Sequence, residues 1–249
     1  MTGRLRHALW ATLAAAAPAW AQTTMQEPMP GPAITPWLAA DSVPVAPWHV
    51  AGLPNQKKPF THFSLVDVDG KRALRIEADA SYGNLVHPLV PPRAAGRLAW
   101  HWRVQQFVAG ADLHTKAGDD TAVKVCVFFD LPLADVPFVE RQVLRLARSL
   151  SAEPLPAATV CYVWDEHLSM GSTLDNPFTR RMRYVVARSG ADPGGAWVAE
   201  RHDVAADFLR LFGDETQQVP AVTGIGVGAD ADNTHGHSLA DVADLVFEP

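Results

Sequence analysis

The chain has 249 residues, of which 48% are hydrophobic, 19% charged and 8% aromatic, so it can bury a sizeable core. This composition excludes a disordered, collagen-like or small disulfide-stapled chain, and the length allows one large all-β domain or two small ones. The formal net charge of −6 leaves no broad basic footprint, so no nucleic-acid partner is predicted.

The N-terminus has the three parts of a cleavable secretory signal. Arg4 and Arg6 give a positive start, and the apolar stretch 8–17 follows them. Ala19 and Ala21 then place small residues at the two positions that a signal peptidase reads. An uncleaved anchor is the alternative, but the stretch is too short to cross a bilayer core of ~30 Å as a helix. We expect cleavage after Ala21, a periplasmic or secreted protein, and no membrane span in the mature chain.

A proline-rich segment, 22–47, follows the signal and predicts an extended leader or linker. Trp37 and Trp48 are placed to dock this leader onto the folded part of the chain. We expect residues 48–249 to form a single domain.

The rest of the chain mostly alternates apolar and polar residues with a period of two, which is typical of half-buried strands. Asp69-Gly70 predicts a hairpin turn after the first alternating run. Further strands are predicted at 97–104, 121–129, 160–164, 182–187, 197–204, 223–228 and 239–247. Helices are predicted at 138–150 and 205–212. The pattern predicts a mostly β fold, an antiparallel β-sandwich of jelly-roll or galactose-binding-like type with one or two short helices.

One predicted strand alternates glycine with apolar residues. Gly224, Gly226 and Gly228 share one parity, and no helix pattern follows them, so this is not a phosphate-binding loop. We interpret the segment as a strand that another backbone or a ligand approaches closely.

The polar parity of the strands supplies candidate ligand-binding residues. They are His101, Arg103, Lys124, Asp130, Trp164 and Asp165. Charged groups hydrogen-bond sugar hydroxyls, and an aromatic ring such as that of Trp164 supports the apolar side of a sugar. The alternatives are an ordinary solvated sheet face and a tryptophan that belongs to the core.

An acidic loop after the glycine-rich strand is a candidate calcium site. Asp230, Asp232 and Asn233 provide the oxygen ligands that Ca²⁺ prefers, and Asp119 and Asp120 flank another strand start. No EF-hand pattern is present, and these residue types also form turns. No other cofactor is predicted.

Two cysteines lie in predicted strands. In an oxidising compartment Cys126 and Cys161 are able to form one inter-strand disulfide, and two buried free thiols are the alternative.

Five strings carry a resemblance to a known family: ASYGNLVHPL (80–89), WHWRV (100–104), GDDTAVKVCVFFD (118–130), TVCYVWD (159–165) and GADADNT (228–234). Over residues 48–248 the chain resembles domain-of-unknown-function family 3047. The resemblance implies a secreted bacterial protein and supplies no catalytic or ligand residue. The C-terminal stretch is also similar to the end of carbohydrate-binding and galactose-binding-like sandwiches, but a fold does not establish a function.

These observations predict a non-catalytic binding module for a glycan or a cell-envelope component. The first alternative is a polysaccharide-cleaving enzyme, which needs two facing carboxylates from among Asp130, Asp165 and Glu200. The second is a structural envelope protein, which predicts a large exposed apolar patch or an oligomer.

Overall fold

The computed structural model describes residue 34 and residues 37–39, 42–151, 153–191 and 195–248. The predicted signal segment 1–21 and residues 22–33 of the leader lie outside the described residues.

Two β-sheets form a sandwich, which confirms the predicted mostly β, antiparallel fold. The seven-stranded sheet has the order β1-β4-β11-β6-β7-β9-β8 and the five-stranded sheet the order β10-β5-β12-β3-β2. The strands are β1 (His49–Ala51), β2 (His62–Val68), β3 (Lys71–Asp79), β4 (Tyr82–Arg93), β5 (Arg97–Gln106), β6 (Thr121–Phe129), β7 (Ala158–Asp165), β8 (Thr173–Asn176), β9 (Thr179–Ser189), β10 (Val198–Asp203), β11 (Val222–Asp230) and β12 (His237–Glu248). All pairs are antiparallel except β7 with β9.

The main core lies between the sheets and is built from one parity of most of the strands. Val125 and Val127 of β6 face Trp100 and Trp102 of β5 across it, and all four side chains are buried. The other parity therefore lies on the outer face of each sheet.

The predicted hairpin joins β2 and β3. Asp69 and Gly70 form its two-residue turn with φ of 50° and 77°, the backbone that this kind of turn requires.

The alternation pattern does not predict strands β1, β4 and β8. Pro88 and two further prolines in β4 weigh against a strand, because proline cannot donate to the ladder. β4 accommodates them because β1 pairs only with Asn84, Leu85 and Val86. Beyond β1, that side of β4 is an open edge.

Two helices occur in the described residues, α1 (Phe138–Leu150) and α2 (Val204–Phe212). Asp203 caps α2 by accepting a hydrogen bond from the Ala206 amide, and Phe208 and Phe212 anchor α2 in the core. Neither helix is long and apolar enough to cross a membrane.

Candidate functional site

The predicted ligand-binding residues do not converge. His101 and Arg103 lie on the outer face of the five-stranded sheet, whereas Lys124 lies on the outer face of the seven-stranded sheet. Asp130 follows β6 and Asp165 ends β7; these strands are antiparallel, so the two carboxylates lie at opposite ends of the sheet. The structure therefore does not bring these residues together into one site.

Trp164 is not an exposed platform. Its side chain is only 3% exposed and packs 5.7 Å from the ring of Trp102, and its indole N–H donates to the Gly190 carbonyl oxygen. The alternative assignment to the core is the one that the structure shows.

The outer face of the five-stranded sheet carries a network of ion pairs around Asp241. This fully buried carboxylate accepts hydrogen bonds from Arg75 Nε at 2.9 Å, Arg103 Nε at 2.8 Å and Gln105 Nε2 at 2.6 Å. His101 Nδ1 lies 3.0 Å from Asp244, and burial lowers the pKa of this histidine. The charges on this face neutralise one another.

Lys124, on the opposite side of the molecule, is buried and paired. Its Nζ donates to Asp230 Oδ2 at 2.6 Å, and the other carboxylate oxygen accepts from the Thr121 amide at 2.9 Å and hydroxyl at 2.6 Å. Burial is the largest single influence on the pKa of Lys124 and lowers it. The charge and hydrogen bond of Asp230, together with Tyr82 and Asp119, outweigh burial and raise the pKa. Lys124 and Asp230 therefore form a buried ion pair, and Thr121 occupies the carboxylate oxygen that Lys124 leaves.

Asp119 extends the same buried cluster. It accepts hydrogen bonds from the Tyr184 hydroxyl at 3.0 Å and from Asn176 Nδ2 at 2.5 Å. Burial, followed by the negative charge of Asp230, raises the pKa of Asp119 to about 6.

The loop acids predicted to bind calcium make protein contacts. Asp230 is neutralised by Lys124, and Asn233 Nδ2 donates to the Asp119 carbonyl oxygen at 3.0 Å and to Asp120 Oδ1 at 3.2 Å. No group of three or more His, Cys, Asp or Glu among the described residues is placed to hold a metal ion. Calcium binding through Asp230, Asp232 and Asn233 stays a prediction.

The three alternating glycines of β11 lie on the outer face of the seven-stranded sheet, between β4 and β6. Their neighbour across the strand is Phe128 of β6, whose ring rests on the bare backbone. A Cβ on Gly226 would lie 2.8 Å from Phe128 Cζ, and one on Gly224 would lie 3.2 Å from Phe128 Cδ2. The close approach predicted for this strand is therefore made partly by backbone, the Gly83 and His87 carbonyl oxygens of β4, and partly by the Phe128 ring.

Polar groups of β4 lie at the other end of this row of glycines. Asn84 Nδ2 lies 3.2 Å from the Tyr82 hydroxyl, to which it donates, and a Cβ on Gly228 would overlap Asn84 Oδ1. Lys124 Nζ lies 4.8 Å from the centre of the Tyr82 ring. The side chains of Tyr82, Asn84 and Phe128 are all part exposed. We call these three residues, together with Gly224, Gly226 and Gly228, the glycine-floored face.

The sequence does not single out Tyr82 and Asn84, because its pattern does not predict β4. It does not single out Phe128 either, because Phe128 lies in a strand of mostly apolar residues. The signal that points to them is the common parity of the three glycines, which leaves one face of β11 without side chains.

The two cysteines lie directly opposite each other on β6 and β7 and form a disulfide, with a Cα–Cα distance of 4.0 Å. Cys126 and Cys161 are buried on the same outer face as Phe128.

The chain belongs to the family described as "Protein of unknown function (DUF3047)", whose model matches residues 46–246. This confirms the family resemblance read from the sequence. No curated protein matches the chain in sequence.

Several solved structures are similar to this fold. Endoglucanase 3 from Trichoderma harzianum, of family GH12, is 10% identical with a TM-score of 0.36, covering 82% of this chain and 99% of that one. A family 12 xyloglucanase from Bacillus licheniformis is 7% identical with a TM-score of 0.38, covering 82% and 87%. The cellulose induced protein Cip1 is 11% identical with a TM-score of 0.34, covering 81% and 90%. Likenesses this distant do not bear on function.

Proposed function

We propose that the protein is a non-catalytic binding module of the periplasm or cell exterior, whose ligand is a glycan or another cell-envelope component. The ligand binds the glycine-floored face. The observation that carries the proposal is the row of glycines on β11, where the part-exposed Phe128 ring lies on Gly224 and Gly226 and the Asn84 side chain lies at Gly228.

This arrangement suits a saccharide because it combines an aromatic surface with polar groups along one row of glycines. The ring offers apolar area to the C–H side of a sugar, and its position is fixed by the strand beneath it. The Asn84 amide and the Tyr82 hydroxyl each donate and accept hydrogen bonds, as sugar hydroxyls require. Shallow sites of this kind bind through a few well-placed polar groups around apolar contact.

The buried pair beneath the face supports it without binding the ligand directly. Lys124 and Asp230 are 1% and 3% exposed, and their contacts hold β6 and β11 together below Tyr82. Removing either partner would leave a buried unpaired charge, so we expect the pair to fix the geometry of the face.

The alternative function, a polysaccharide-cleaving enzyme, requires two facing carboxylates from among Asp130, Asp165 and Glu200. Asp130 and Asp165 lie at opposite ends of the neighbouring strands β6 and β7, and Glu200 of β10 is engaged by groups of both sheets. Glu200 accepts hydrogen bonds from Arg188 Nε at 2.9 Å and from the Trp102 indole at 3.3 Å. Asp130 and Asp165 therefore do not face each other across a cleft, as glycoside hydrolysis requires of a carboxylate pair.

The test is affinity electrophoresis and pull-down of the mature chain with peptidoglycan sacculi, lipopolysaccharide and neutral glucans. We expect retention by at least one of these, reduced about tenfold or more by Phe128→Ala and by Asn84→Ala. The matched control is Phe178→Ala. That ring is 56% exposed and lies in the β8–β9 hairpin, at the far edge of the same sheet, so its loss should leave retention unchanged.

Thermal unfolding of each variant separates a binding defect from a folding defect. Asn84 is part exposed, so Asn84→Ala should remain folded even if Phe128→Ala does not. No retention by any of the three polymers, or equal retention by wild type and by a folded Asn84→Ala variant, would overturn the proposal.

A further inference from the structure

Helix α1 has its apolar stripe on the outside. Val139, Val143, Leu146 and Leu150 follow one another at spacings of four, three and four residues, so they share one face of the helix. They are 71%, 60%, 63% and 55% exposed, respectively, whereas Leu144 is the buried side chain of the helix. An amphipathic surface helix normally buries its apolar face, but in α1 this face is exposed to solvent.

Polar contacts hold the helix in this orientation. Glu140 forms an ion pair with Arg181 of β9, which is itself only 6% exposed. Arg141 Nε donates to the Val136 carbonyl oxygen at 3.2 Å, and Arg148 Nε donates to the Leu155 carbonyl oxygen at 2.8 Å. Together with the buried Leu144, these contacts fix the rotation of α1, so its outward stripe is a built feature of the fold.

The charge of the helix indicates what the stripe meets. α1 carries three arginines, Arg141, Arg145 and Arg148, and its one acid, Glu140, is paired with Arg181. The chain as a whole has a net charge of −6, so α1 is a local basic surface on an acidic protein. An apolar stripe on one side of a helix, with arginines on the other side, is the pattern of a helix that lies in the interface of an anionic bilayer.

A second copy of the chain fits the stripe less well. The helix has 13 residues, and the four-residue stripe with the neighbouring Phe138, 69% exposed, is all the apolar surface it offers. Stable protein interfaces use about 20 to 30 residues on each side. A bilayer requires no such shape-matched area, because it accepts each apolar side chain separately.

We propose that α1 docks the protein onto an anionic membrane surface, with the stripe of Val139, Val143, Leu146 and Leu150 at the headgroup boundary. Arg145, which makes none of the contacts that hold the helix, then contacts lipid phosphates. This surface is separate from the glycine-floored face and does not depend on glycan binding.

The experiment is flotation of the mature chain with vesicles of phosphatidylcholine alone or with about 30 mol% phosphatidylglycerol. We expect binding to the anionic vesicles, weakened by high salt, and little binding to the neutral ones. Val143→Gln/Leu146→Gln should reduce the bound fraction about fivefold or more. Arg145→Gln should reduce it less.

Val90→Gln is the matched control, because it removes an apolar side chain that is 88% exposed but lies on β4. Its binding should equal that of wild type. No binding of wild type to anionic vesicles, or equal binding by the double variant, would overturn the proposal. So would a dimer in solution that the double variant dissociates, since it would assign the stripe to a second copy.

Discussion

The outer faces of the two sheets start from similar sequence patterns and end as different surfaces. On the five-stranded sheet, Arg75, Arg103 and Gln105 all donate hydrogen bonds to the buried Asp241. The charged groups of this face are therefore paired with one another. On the seven-stranded sheet, one buried pair, Lys124 and Asp230, lies below a floor of glycines and a part-exposed aromatic ring. Alternation of charged and apolar residues therefore marks an outer face, whereas the glycines distinguish the face on which an aromatic ring lies against bare backbone.

The largest expected effect tests how differently the two faces hold their charges. Lys124→Met leaves Asp230 buried without its partner and should reduce the free energy of unfolding by about 3–5 kcal/mol. Arg75→Gln, whose side chain is 29% exposed and is one of three donors to Asp241, should cost about 1 kcal/mol or less. Urea unfolding of both variants measures the difference. Equal losses of unfolding free energy would show that the Lys124–Asp230 pair contributes no more to stability than the Arg75–Asp241 contact.

A second prediction concerns pH. The pKa of Asp119 is raised from its usual 3.8 to about 6, so between these values the folded chain binds more protons than the unfolded chain. The resulting stabilisation is complete below pH 3.8 and is lost as pH rises through 6, by up to roughly 3 kcal/mol. Asp119→Asn should flatten the dependence of unfolding free energy on pH in this window. The control Asp130→Asn, at an exposed position, should leave that pH dependence unchanged. A wild-type protein whose stability rises from pH 4 to pH 6 by an amount unaffected by Asp119→Asn would contradict this assignment.

A third prediction separates two glycines of the floor. A Cβ on Gly228 would overlap the Gly83 carbonyl oxygen, a backbone atom that cannot move aside, so Gly228→Ala should cost about 1–3 kcal/mol. A Cβ on Gly226 would meet only the tip of the Phe128 ring at 2.8 Å, which can tilt away. Gly226→Ala should therefore cost less than about 1 kcal/mol while displacing the ring and weakening ligand retention. Thermal unfolding and the polysaccharide pull-down together measure both effects, and a Gly226→Ala variant with full retention would show that the ring position does not matter.

The sequence predicted the sandwich because both sheets follow period-two alternation, and it predicted α1 at residues 138–150 because the stripe has helical spacing. It did not predict β4, because local proline and asparagine signals outweigh a pairing that only the neighbouring strands define. Convergence of side chains is a property of strand order: Lys124 and Arg103 read alike in sequence but belong to different sheets. The outward turn of the α1 stripe likewise depends on a distant ion pair with Arg181.

The central claim is that the glycine-floored face binds the ligand, and amide NMR of the mature chain tests it most directly. The polysaccharide retained in the pull-down, or a soluble fragment of it, is titrated while the glycine amides are followed. The account predicts that the amides of Gly224, Gly226 and Gly228 shift together, whereas those of Gly70 and Gly110, in turns elsewhere, stay in place. Shifts confined to the outer face of the five-stranded sheet around Asp241, or an unchanged glycine floor at saturating ligand, would contradict it.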